Sequence, residues 1–263
     1  MIGLVLLTII ILLTICADIL FDYNEVAIKQ NIEERLQSPS AEHWFGTDES
    51  GRDILARIIH GARCSVLISL ASVGMSALVG GLLGAIAGYY GGLLGETIMR
   101  FMDILLAIPS VLFGLIIVAV LGGTIPMLAI AISVPNIPKM GRILRSSVMS
   151  CNRADYIEAA RARGAKNSTI LLKHVLPNSI APLFVQFTVS VGTTIIVLSG
   201  LSFLGLGVQA PTPEWGAMLS NARTYIRDYS YMCVFPGLAI LVTILSLNLL
   251  GDGLRDALDP RLK

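Results

Sequence analysis

Tyr156-Ile157-Glu158-Ala159-Ala160-Arg161-Ala162-Arg163-Gly164-Ala165 is the stretch whose reading decides the fold. It lies inside the longest polar interruption of an otherwise apolar chain, residues 139–178, which closes with Leu172-Lys173-His174-Val175-Leu176-Pro177-Asn178. Helix formers fill 155–163, with Ala159, Ala160 and Ala162 in the middle. Asn152 or Asp155 is placed to cap that helix, Glu158 suits the positive end of its dipole, and Gly164 supplies the left-handed residue that ends it. Asn167 or Ser168 can cap a second helix reaching His174, and Pro177 marks a break before the next apolar segment. Tyr156, Ala159, Ala160 and Arg163 recur at helical spacing and would share one face. Small side chains there would let a partner's groove close on the backbone. A basic loop lying on anionic lipid is the plainer alternative. It explains the cations but not the small residues and the glycine.

Outward from that stretch the chain reads as membrane protein. Of 263 residues 54% are hydrophobic and 14% charged, and the mean hydropathy is +0.76. A soluble domain carries about 25% charged residues, so lipid is the expected solvent. Apolar blocks of about 20 residues match a hydrocarbon core of about 30 Å. Six helical spans are expected, at about 1–20, 64–90, 98–122, 125–143, 180–206 and 232–251, as continuous runs rather than the alternation of a barrel. Pro126, Pro135 and Pro138 restrict the fourth, and the last two should kink or shorten its second half unless neighbouring helices satisfy the freed carbonyls. The glycines of the second (Gly74, Gly80, Gly81, Gly84, Gly88) suit close packing of helices. Residues 1–20 lack a basic leader and a clean cleavage site, so they read as a retained span.

Cation counts set the orientation. Loop 139–178 carries eight (Lys139, Arg142, Arg145, Arg153, Arg161, Arg163, Lys166, Lys173) and loop 18–63 five (Lys29, Arg35, Arg52, Arg57, Arg63). The 139–178 loop is therefore expected in the cytoplasm, with both termini, and loops 18–63 and 207–231 outside. A net charge of +1 gives no field that would gather nucleic acid.

The spans hold few chemical groups. Cys16, Cys64, Cys151 and Cys233 are dispersed and read as small hydrophobes, and His43, His60 and His174 are scattered, with none in a span. No metal site is expected. Arg100 and Asp103 sit near an end of the third span, within reach of the interface. Asn136, Gln186 and Asn248 are the polar candidates for a passage, although each could equally bond a neighbouring helix. Residues 43–63 suggest an amphipathic surface segment. Residues 211–227, with Glu214, Trp215 and Tyr225, suggest an interfacial anchor or a contact for an external protein.

Glu158-Ala159-Ala160 with Gly164 and Leu176-Pro177 resembles the "EAA" loop of binding-protein-dependent ABC importer permeases. His43-Trp44-Phe45-Gly46-Thr47-Asp48-Glu49-Ser50-Gly51-Arg52-Asp53, Gly61-Ala62-Arg63, Gly200-Leu201-Ser202-Phe203-Leu204-Gly205-Leu206-Gly207, Pro211-Thr212-Pro213-Glu214-Trp215-Gly216 and the run from Asn248 to Arg261 extend the likeness along the chain. Together they are similar to the C-type permease of the dipeptide, oligopeptide and nickel importers. The resemblance implies an all-α integral membrane protein with the type I ABC importer permease fold. It implies an N-terminal helix and external loop at 1–61, a transmembrane core at 62–251 with a coupling loop at 144–178, and a cytoplasmic tail at 252–263. It also implies that Tyr156, Ile157, Glu158, Ala159, Ala160, Arg161, Arg163, Gly164 and Ala165 receive an ATPase.

No Gly-x-x-x-x-Gly-Lys-Ser/Thr loop occurs, so ATP and Mg are expected on partner ATPase subunits and no cofactor or catalysis in this chain. A homologous permease, two ATPases and an extracytoplasmic substrate-binding protein are the implied partners, in the cell membrane, for peptides or nickel chelates. A self-contained ion-coupled carrier or channel is the alternative, and it would call for charged or histidine-bearing spans. An intramembrane enzyme would call for His-Glu-x-x-His or Gly-x-Ser-x-Gly, and neither occurs.

Overall fold

The computed structural model describes residues 1–258, and within them every extended element of secondary structure is helical. The chain opens with α1 (Ile2–Ile15) and a short α2 (Ala17–Leu20), the two parted only at Cys16. A loop with an isolated Thr47–Asp53 bridge follows. Then come α3 (Ile54–Tyr90), α4 (Gly92–Leu106), α5 (Ser110–Leu121) and α6 (Ile125–Cys151). The short α7 (Asp155–Ala162) and α8 (Asn167–Thr169) precede a π-helical turn, Ile170–Val175, and α9 (Leu176–Ser179). The chain finishes with α10 (Ala181–Phe203), α11 (Trp215–Ala222) and α12 (Tyr231–Leu258). Residues 259–263, the last five of the expected tail and including the last three of the Asn248–Arg261 motif, lie outside the described residues.

Among the described residues, three helices are long and apolar enough to cross a membrane: α3, α10 and α12. A fourth crossing arises if α4 and α5 count as one span bent by 84°. The expected straight helix over 98–122 is thus two helices meeting at Ala107-Ile108-Pro109, because proline cannot continue the hydrogen-bond ladder. Asp103 pairs with Arg142 of α6 at 2.5 Å.

The expected start of the second span at 64 is ten residues late. α3 begins at Ile54, capped by Asp53 Oδ1, which accepts from Ala56 N at 2.9 Å. Residues 54–63 are therefore the first turns of a long helix rather than a surface segment, and Ile54, Arg57 and His60 are buried. His60 consequently lies within a helix that reads as a span, contrary to the expectation that no histidine does.

The core forms where α3 meets α6. Ser65, Ser69, Ser72 and Ser76 are fully buried, and the last three hydroxyls return to carbonyls one turn back. Gly80, Gly84 and Gly88 continue that row of small residues. A Cβ on them would stand 2.3 Å from Ile137 O, 2.2 Å from Gly141 O and 2.8 Å from Arg145 O. Main chain packs on main chain at every fourth residue of both helices, as in lipid, where association depends on close contact rather than on hydrophobic expulsion.

α6 remains helical through Pro135 and Pro138, so the span is not shortened there. Carbonyls in that stretch find side-chain donors: Asn136 Nδ2 gives to Ile132 O at 3.1 Å, and Ser76 Oγ to Ser133 O at 2.9 Å. The second Pro-Asn pair repeats the device, with Asn178 Nδ2 donating to His174 O at 2.7 Å, so Pro177 does not stop its turn. α6 also runs to Cys151, so residues 139–151 are helix rather than loop.

Candidate functional site

The helix expected from the opening stretch is α7. Ala154 is its N-cap without a side-chain bond, and Asp155 is already helical. Asn152 is engaged elsewhere: its Oδ1 accepts from Arg161 Nη2 at 2.6 Å and its Nδ2 donates to Tyr89 O at 3.4 Å. Lys166, not Asn167 or Ser168, caps the following helix.

The end of α7 fulfils the glycine expectation. Gly164 has φ +77°. Its N–H donates to Arg161 O at 2.9 Å and that of Ala165 to Ala160 O at 3.2 Å. This pair of bonds is the Schellman closure, which satisfies the last carbonyls of a helix and requires the left-handed residue between them.

α7 has two unlike faces. Ile157 and Ala160 are buried in the main core with Ile170 and Val175. Tyr156, Glu158, Ala159, Ala162 and Arg163 are exposed. Ala160 therefore faces inward and does not belong to the presented face, which Ala162 joins instead. Tyr156 keeps its hydroxyl 3.0 Å from Cys151 Sγ, and that hydrogen bond holds the phenol above the usual tyrosine range.

Tyr89, the penultimate residue of α3, joins this segment to the bundle. Its hydroxyl donates to Asn167 Oδ1 at 3.1 Å, its carbonyl receives Asn152, and the Arg161 guanidinium lies 5.9 Å from its ring centroid. Sequence reasoning missed Tyr89. The available signal was a Tyr-Tyr pair directly after the glycine row. α7 is thus suspended from the adjoining ends of the two most closely packed helices, with one side free.

The proposed passage residues are not brought together. Asn136 is spent on its own helix, Gln186 bonds Ser190 Oγ at 2.9 Å, and Asn248 is exposed on α12. Gln186 and Arg255 line a cavity of about 460 Å³ between α6, α10 and α12.

At the opposite end, Glu214 and Trp215 are buried and so are not surface groups awaiting an external protein. Glu214 Oε1 accepts from Gly216 N (2.8 Å) and Ser65 Oγ (3.1 Å), and Oε2 from Ala217 N (2.8 Å) and Ser202 Oγ (2.6 Å). Trp215 Nε1 donates to Ile58 O at 2.9 Å. Tyr225 is half-buried and accepts from Arg35 at 3.3 Å.

The molecule is a helical bundle with long apolar helices and one short, half-exposed helix hung from the adjoining ends of α3 and α6. The chain belongs to the family described as "Binding-protein-dependent transport system inner membrane component", which matches residues 80–263. It is 47% identical, over 100% of this chain and 86% of the relative, to the dipeptide transport system permease protein DppC of Alkalihalophilus pseudofirmus. It is 42% identical to the glutathione transport system permease protein GsiD of Pectobacterium atrosepticum, over 94% and 79%. Among solved structures it is similar to the inward-facing MetNI methionine ABC transporter, with a TM-score of 0.64 at 16% identity over 77% of this chain and 96% of that one, a likeness of fold. The chain is accordingly a non-catalytic, multi-pass cell-membrane subunit of an ABC importer, and ATP hydrolysis resides in a separate subunit.

Proposed function

We propose that this chain forms one half of a passage for short peptides and that a partner ATPase drives it through α7. The observation that carries the proposal is the division of α7 into a face locked in the core and a face left free, with Glu158, Ala159, Ala162 and Arg163 outward. Tyr156, Ile157, Ala160, Arg161, Gly164 and Ala165 then build and hold that helix rather than all touching the partner. ATP and Mg bind the partner. Closure of the nucleotide-binding subunits moves α7 as a rigid body, and the α3–α6 pair carries the movement into the bundle.

A homologous second permease would complete the passage as a heterodimer, with two ATPases and an extracytoplasmic binding protein. Six crossings follow if α1 with α2 makes one, α4 with α5 another, and α3, α6, α10 and α12 the rest. An even number puts both ends on one side, and the cation-rich 139–178 region makes that side cytoplasmic. Dipeptide and glutathione in the relatives' names favour di- or oligopeptide cargo over a nickel chelate. An ion-coupled carrier gains no support from relatives of this kind.

In the assembled complex, an Ala159→Cys chain should form a cross-link to the ATP-hydrolysing subunit. A correctly inserted chain that gives no such adduct, and still takes up peptide, would defeat the reading.

A further inference from the structure

α3 and α6 are packed in a fixed register. Ser76 meets Ser133 O, and Gly80, Gly84 and Gly88 meet the main chain of Ile137, Gly141 and Arg145, each pair 57 positions apart. A constant offset in one direction means that the two helices run parallel. The chain leaving Tyr90 must therefore return to the opposite end of the bundle before Ile125, and α4 with α5 is that return. It is broken at Ala107-Ile108-Pro109, where α5 turns 84° from α4.

Contacts on either side fix the level of the break. Met102 of α4 lies on Gly141, and Gly114 of α5 lies beside Ala131 O. In the 57-residue register these two layers of α6 stand level with Gly84 and Gly74 of α3. Both fall within Cys64–Tyr90, a run of α3 that holds no charged residue. That run exceeds the length needed to cross a hydrocarbon core, so the break lies at hydrocarbon depth.

The polar groups of the break are bare. Among the described residues, the carbonyls of Ala107 and Ile108 and the N–H of Ile108 have no main-chain partner. No side chain caps the start of α5, and residues 106–112 are all exposed. Lipid cannot satisfy such groups, so irregular main chain at this depth must lie against protein or line a water-filled cavity. The ion pair beside it favours water. Asp103, one turn before Ala107 and on the same face of α4, pairs with Arg142 at 2.5 Å, and the two side chains are 43% and 50% exposed. Charged groups within a membrane bundle face its interior or a water-filled cavity.

Taking this chain as one half of a peptide passage, on which the inference rests, we propose that the α4–α5 break is part of the passage wall. Its free main-chain groups bind the main chain of the passing peptide. The peptide offers N–H groups to the Ala107 and Ile108 carbonyls and a carbonyl to the Ile108 N–H. Such pairing reads no side chain, so the wall accepts peptides of differing sequence.

The test is thiol labelling of the whole transporter in lipid vesicles with a charged, membrane-impermeant methanethiosulfonate, each labelled residue being located by mass spectrometry. Ser110→Cys is compared with Leu78→Cys and Leu82→Cys, exposed positions of α3 at the same level. Ser110→Cys should react at least about tenfold faster than either, because only a hydrated thiol readily forms the reactive thiolate. A saturating transported dipeptide should slow that reaction severalfold. Ala107→Cys reads the same wall should Ser110→Cys fail to insert. Equal rates at Ser110 and the two leucines would overturn the proposal. So would a Ser110→Cys cross-link to the second permease in most complexes, because protein would then cover the break. Labelling that the dipeptide leaves unchanged would overturn the peptide contact. The Ala159→Cys adduct in the same preparation separates the two readings. With it present, an inert Ser110→Cys defeats this inference alone, and its absence defeats the coupling through α7 instead.

Discussion

The two ends of the bundle are secured by opposite means. At the end carrying α11, a fully buried carboxylate, Glu214, collects four donors from three segments of chain. Nearby, Asp48 pairs with Arg52 at 2.7 Å and Arg57 at 3.3 Å, and Arg57 reaches Ala27 O at 2.8 Å. At the end carrying α7, the charged residues of the short helix, Asp155, Glu158 and Arg161, are all exposed. Main-chain bonds close the helix, and one tyrosine holds it. A buried charge can be satisfied in only one geometry and makes its surroundings stiff. An exposed helix on a main-chain hinge can take up another protein's motion. On the proposed reading, the first end is an anchor and the second an input.

That contrast yields graded expectations. Glu214→Gln places an amide where backbone N–H groups already point, so it should cost on the order of 3 kcal/mol. Thermal unfolding of the detergent-solubilised complex measures it, and folded yield should fall with it. An unchanged midpoint would mean the end is not an anchor. Gly84→Ala drives a Cβ into Gly141 O, and forcing α3 from α6 should cost about 2 kcal/mol. Here both stability and uptake should drop, because the pair that carries motion is the pair that is parted.

Gly164→Leu sets a branched side chain at positive φ, a strain of about 1–2 kcal/mol. Membrane insertion should survive while peptide uptake falls to background, since the Schellman turn aims α7. Normal uptake by that inserted variant would erase the distinction between the ends. Tyr89→Phe removes only the bond to Asn167 and leaves the ring under Arg161, a loss of about 1 kcal/mol. Uptake should decline partly, with little change in the unfolding midpoint, and a coupled ATPase assay would show hydrolysis continuing without equal transport.

What was legible and what was not divide along physical lines. Apolar length revealed α10 and α12 closely, since burial in lipid is a property of each segment by itself. It misplaced the start of α3, because Arg57 and His60 look like surface residues until Arg57 is seen to meet Asp48 and Ala27 O, and His60 Nε2 to meet Phe21 O. It missed the 84° bend in 98–122, although Pro109 was present, because a proline alone does not say whether neighbours will restore the helix. α6 runs on through Pro135 and Pro138, and the 98–122 segment does not run on through Pro109.

At the candidate site, Gly164 was readable because a left-handed turn is a local demand on one residue. The inward face of Ala160 was not, since small residues at helical spacing look alike from both sides until Ile170 and Val175 pack on one of them. The sequence alone determined what is local: the apolar runs, the helix of 155–162, its glycine stop and the family motifs that surround it. Tertiary structure alone decided what depends on a partner far along the chain. It placed Glu214 among serines from α3 and α10, Tyr89 beneath α7, and Gly80, Gly84 and Gly88 against the α6 main chain. Apart from Ser202, 12 positions from Glu214, those contacts join residues 57 to 149 positions apart, and only folding reveals which groups meet.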